Sequence, residues 1–194
     1  MSTTTQTSPR STLVRGAAYG AGAGVVASIA MGMYAMVASY LKDTGFFTPL
    51  HHIASLLAEP AAMMESMMAA DMKGDHFVIT AGVALLGLVI HMMTGAVYGA
   101  ILGAAVATLK LGVAALAGIG LVYGALVFVA SAFVGLPVAS AIFGVEDLAE
   151  GPMAGMNAIA DMAEMAGWGV FFSEHLVFGV VTGLLIAAGL RKRA

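Results

Sequence analysis

Apolar and polar positions divide this chain into four long apolar stretches separated by two polar, acidic connections. The apolar stretches are about residues 16–41, 77–109, 111–136 and 168–190. Each exceeds the roughly 20 residues that an α-helix needs to cross a bilayer's hydrocarbon core. The first is too long for the apolar part of a secretory signal, about 7 to 15 residues, and reads as a retained span. The pattern predicts an all-α membrane protein with four transmembrane helices. Its parts are a disordered cytoplasmic leader (1–15), two two-span units (16–109 and 110–190) and a basic tail (191–194). The connections, about 42–76 and 137–167, fall on one side of the bundle.

Short motifs recur in the same order in the two units. "YGA" stands at 19–21 and 123–125, "LAEP" at 57–60 against "LAEGP" at 148–152, and "ADM" at 70–72 and 160–162. "HxxxGxxxG" begins at His91 and again at His175. Four ordered matches predict a tandem duplication, two two-helix repeats related by a pseudo-two-fold along the membrane normal. Within the connections, Thr48-Pro49, Glu59-Pro60 and Pro152 read as helix starts, and Gly74 and Gly167 as helix ends. Short amphipathic helices are therefore expected in both outer connections, with methionines on their apolar faces.

Composition agrees with a membrane protein: 60% of residues are hydrophobic, 10% charged, and the mean hydropathy is +0.96. Soluble domains carry about 25% charged residues. Charge then orients the bundle, because loops retained in the cytoplasm hold Lys and Arg. Arg10, Arg15, Lys110, Arg191, Lys192 and Arg193 fall on one side. The connections hold only Lys42 and Lys73 against ten of the 11 carboxylates, all but Glu174. Both termini are thus expected in the cytoplasm and both connections outside the cytoplasmic membrane. With no cysteine, no disulfide can tie them.

The runs "MGMYAMVASY", "GFFTPLHHIASLL" and "HMMTGAVYGAILG" resemble a group of small four-span bacterial membrane proteins without assigned activity. The resemblance implies the same four-span topology and carries over no functional residue.

Candidate chemistry lies in the spans and the methionines. Glycines at four-residue spacing (Gly16, Gly20, Gly24; Gly95, Gly99, Gly103; Gly179, Gly183) let helix backbones approach closely in lipid. His91 and His175 each lie one turn from such a glycine, which turns both rings into the bundle, in the outer half of the membrane. There each either bonds a carbonyl or hydroxyl of a neighbour, or the pair ligates a b-type haem or a metal. Glu174, adjacent to His175, points about 100° away from it and is expected to reach the outer interface marked by Trp168. Met64, Met68 and Met72 form one helical stripe that His76 extends, and with Met162 they are a candidate soft-metal site of copper type.

No nucleotide loop, zinc-protease motif or nucleophile and base pattern is present, so no enzymatic activity is expected. An acidic outer face excludes nucleic acid as a partner. Three functions are compatible with these residues. The best supported is handling of a small solute or soft metal at the outer face. The others are an accessory subunit of a larger membrane assembly and a bis-histidine haem b or metal carrier. The partners expected are the lipid bilayer and either a second copy or a membrane complex.

Overall fold

A computed structural model describes residues 9–149, 151 and 153–191. The start of the leader, Glu150, the Pro152 helix start and the tail beyond Arg191 lie outside the described residues. Four helices are long and apolar enough to cross a membrane. They are α1 (Pro9–Leu41), α4 (Ala81–Val106), the continuous unit Val113–Phe143, and α8 (Trp168–Arg191). The first begins at Pro9, so residues 9–15, expected in the leader, extend α1.

Glycine decides how the spans pair. A methyl group on Gly24 would fall on the carbonyl oxygen of Gly95, one on Gly99 on that of Gly20, and one on Gly103 on that of Gly16. The α1 and α4 backbones therefore run antiparallel in direct contact along three turns, which only residues without a side chain allow. Gly120, Gly179 and Gly183 make a second such seam between the third and fourth spans. The two seams align Gly24 with Gly120 and Gly95 with Gly179. This places the "YGA" of 123–125 two turns away from the position that matching it to 19–21 implies. The helix contacts are also unequal: α8 packs across α1, whereas α4 and the third span scarcely touch.

The third span extends beyond the expected 111–136. It comprises α5 (Val113–Ala130), a π-helical turn (Ser131–Gly135) and α6 (Leu136–Phe143). Pro137 has no N–H to donate to the carbonyl four residues back. The Leu136 N–H instead bonds the carbonyl of Ser131, five residues back, and the helix widens there.

The first connection holds α2 (Thr48–Ala54) and α3 (Ala61–Lys73), and Gly74 ends α3 in a left-handed conformation. α2 lies flat on α4, because Gly87 leaves room for the backbone of Leu50. The second connection differs from the helix expected across its methionines. Among its described residues after α6, only α7 (Met162–Ala166) is helical, and Gly167 ends it. Before it the chain turns back on itself, with Gly151 and Gly155 at positive φ, the Leu148 N–H bonding the carbonyl of Met156 and the Gly155 N–H that of Leu148. Asn157 is the hub of this loop. Its amide donates to the carbonyl of Val145 and to Asp147, and its oxygen accepts from Ser140 and from the N–H groups of Ile159 and Ala160.

Candidate functional site

Because α4 and α5 do not pack, a cavity of about 230 Å³ opens between them. Tyr98, which lines it, is joined to α5 by the Tyr123 hydroxyl, which donates to the Tyr98 carbonyl at 2.7 Å. The π turn forms one wall through Ser131 and Gly135, and α4 forms the other through Ile90, Thr94 and Tyr98. Ile53 of α2 and Ile159 of the second connection roof it. A smaller cavity of about 80 Å³ shares His91, Glu174 and Phe171 with the first. It extends toward Ser39, Lys42 and Thr44, at the end of α1 where the connections lie.

Two histidines and one carboxylate, His91, His175 and Glu174, line the larger cavity together with the hydroxyl residues Ser28, Thr94, Tyr98 and Ser131. His91 sits one turn beyond the seam glycine Gly95, and its Nε2 donates to the carbonyl of Ser28 across the seam at 3.0 Å. His175 sits one turn before Gly179, and its Nδ1 donates to the carbonyl of Phe171 at 2.6 Å. A carbonyl only accepts, so each neutral ring keeps a lone pair on its other nitrogen, Nδ1 of His91 and Nε2 of His175. Among the described residues the only polar side-chain atoms both sealed and unpartnered are Nδ1 of His51 and of His76. The open nitrogens of His91 and His175 are therefore not sealed, and both residues line the cavity.

Glu174 does not reach the outer interface. It is only 6% exposed, it lines both cavities, and its Oε1 is 3.9 Å from Nδ1 of His175. Neighbours on a helix do diverge by about 100°. The space left by the unpaired α4 and α5 is wide enough to receive both side chains. Among the described residues no hydrogen-bond donor is placed on the Glu174 carboxyl. A signal for this position stood in the sequence, since Glu174 is the one carboxylate within the four apolar stretches.

His52 is a further polar group that motif reading passed over. Its Nε2 donates to the carbonyl of Ala158 at 2.5 Å, tying α2 to the second connection, and it lines the smaller cavity. Burial pushes its imidazole down to about 4, so it is neutral near pH 7 and serves as a donor. His51 beside it accepts the N–H of Thr80 at 3.1 Å and so serves the start of α4.

The methionine candidates are not brought together. Met64 packs in a cluster around Met63, Leu148 and Ala158, while Met68 and Met72 point outward, 47% and 76% exposed. α3 stops at Lys73, so His76 does not continue the stripe. It lies against Tyr40 and 3.8 Å from Asp43. Met162 is buried elsewhere, with Ile159 and Phe171. Among the described residues, no three His, Asp or Glu side chains are grouped to hold a metal ion.

Fold and site together define a class: an all-helical protein with four helices long and apolar enough to span a membrane, and between two of them a mostly apolar cavity that receives two histidines and a carboxylate. No protein-family model, no curated protein and no solved structure matches the chain.

Proposed function

We propose that this is a non-enzymatic, multi-pass protein of the cytoplasmic membrane that handles a small solute in the cavity between α4 and the π turn. One observation carries the reading. His91, Glu174 and His175 project into a single cavity of about 230 Å³ whose remaining lining is mostly apolar. Concave, mostly apolar sites with a few converging polar groups are the usual form of small-molecule sites. Ionisable groups at membrane depth are costly and mark solute or ion pathways. The scattered methionines give the soft-metal form of this function less support than the solute form. The haem alternative has less still, because a cavity of about 150 Å³ holds one benzene and a tetrapyrrole needs several times that room. An accessory role stays open to the exposed apolar faces of α4 and the third span, which serve lipid or a protein partner equally.

Ligand-observed NMR on the purified protein, with a panel of small aromatic solutes that are neutral, anionic or cationic, tests the reading. At least one solute should bind, and Ala139→Phe, which fills the cavity, should weaken it at least about tenfold, about 1.4 kcal/mol. Binding by no solute, or binding indifferent to the filled cavity, overturns it.

The charge distribution supports cytoplasmic termini and outer connections. With no native cysteine to interfere, single cysteines at Met72 and Glu146 should react with an impermeant thiol reagent added to intact cells, and one at Thr108 should not. The reverse pattern would invert the protein. Tandem duplication is supported by the recurrence of "HxxxGxxxG" at matching places in the two glycine seams, while the "YGA" match falls two turns out of that alignment. Aligned relatives whose two halves match no better than shuffled sequence would remove it.

A further inference from the structure

We infer that the solute is a primary ammonium on a small apolar body, an aralkyl or short alkyl amine that arrives from the bilayer. This rests on the solute-binding reading above and goes further by naming the ligand's chemistry.

The polar groups of the cavity are matched to a donor. His91 Nε2 and His175 Nδ1 are committed to backbone carbonyls, so the nitrogens left to a ligand are lone pairs. The third group is the Glu174 carboxyl, 94% buried by its 6% exposure and without a hydrogen-bond donor among the described residues. The hydroxyls of Ser28 and Thr94 are turned to carbonyls of their own helices, and those of Tyr98 and Ser131, which also line the cavity, can accept as well as donate. Three acceptors therefore stand where a primary ammonium offers three N–H donors. Among the described residues these three groups do not gather as a metal site.

Charge and shape point the same way. An ammonium on the Glu174 carboxylate forms a neutral pair, the form in which charges are tolerated at membrane depth. Phe171 and Phe178 line the same cavity, and aromatic rings attract a cation. The volume, about 230 Å³, exceeds the roughly 150 Å³ that accommodates benzene, leaving room for a ring with a short chain. The gap between α4 and the π turn opens among lipid-facing residues, with Thr94 and Gly135 exposed at its edge. The smaller cavity is a poorer route for a cation, because Lys42 lines its outer part.

The test uses the full-length protein in detergent and calorimetric titration with 2-phenylethylamine and its uncharged analogue 2-phenylethanol. The amine should bind at least about tenfold more tightly than the alcohol, and Glu174→Gln should erase that difference. Proton and ammonium compete for one carboxylate. The other titratable or charged groups around Glu174 are His175, His91, His52, Tyr98 and Lys42. Protonation of any imidazole among them opposes a cation too. Affinity of the wild type for the amine should therefore fall as the pH is lowered and the carboxyl takes up its proton. That measurement decides the matter even if the Gln variant fails to fold. Equal affinity for amine and alcohol, or amine affinity that ignores pH, overturns the amine inference and leaves solute binding standing. Failure of both probes while another solute binds does the same. Failure of every solute removes both readings.

Discussion

Gly24→Ala should separate α1 from α4, although it adds a single methyl group. The new carbon would fall on the carbonyl oxygen of Gly95 and 3.0 Å from Cα of Gly99. Both are backbone atoms of a helix that cannot shift without breaking the seam. Overpacking costs about 1–3 kcal/mol where side chains give way. With no side chain to yield here, the cost should reach about 3 kcal/mol or more. Gly22, two residues earlier, has nothing within 4 Å of the same added carbon. Gly22→Ala should be neutral, or stabilising by up to about 1 kcal/mol through helix propensity. Thermal denaturation in detergent, followed by loss of the monodisperse peak on size exclusion, compares the pair. Equal stability in the two variants would mean that α1 and α4 are not held at the glycine seam.

The second large effect is expected at Asn157, where one side chain makes five hydrogen bonds to Ser140, Val145, Asp147, Ile159 and Ala160. Leucine has similar volume and can make none of them. At about 1 kcal/mol for each bond, with a further cost for donors left unpaired, Asn157→Leu should remove about 3 kcal/mol or more of local stability after allowance for its partial exposure. The spans should persist, since Asn157 takes no part in either seam. Ala158, whose carbonyl accepts from His52, is the next residue, so the damage should reach α2 and the roof of the cavity. Hydrogen exchange should accelerate across 144–161 and in α2 while α1 and α4 stay protected. Unchanged exchange in the second connection would show that the loop is held by its apolar contacts instead.

Part of the candidate site was legible before any coordinates. His91 and His175 could be oriented because each shares a helix face with a glycine that must meet another backbone, and both rings do turn into the bundle beside carbonyl partners. Glu174 was placed wrongly by the same periodicity. An angle of 100° from His175 excludes a common partner only if the neighbouring helix closes on the face, and α4 and α5 do not close. The methionine stripe was a correct helix pattern up to Met72. It failed at His76 because Gly74 ends α3 and sends the chain toward Tyr40. In the second connection, methionines spaced for a helix could not outweigh Gly151, Gly155 and an asparagine that satisfies the surrounding backbone in a turn.

The sequence by itself determined the four spans, since an apolar run of sufficient length must bury its backbone bonds within its own helix in lipid, whatever lies beside it. It also determined which faces of α1, α4 and α8 approach a neighbour, since glycine at every fourth residue leaves a groove on one side only. Only the tertiary structure decided that α8 would pack across α1 while α4 and α5 stand apart. It alone set the widening of the third span at Pro137 beside that gap, and with it the cavity that receives Glu174 with both histidines. Those features depend on which surfaces meet across the bundle, and periodicity along one helix carries no record of the helix that is missing from its far side.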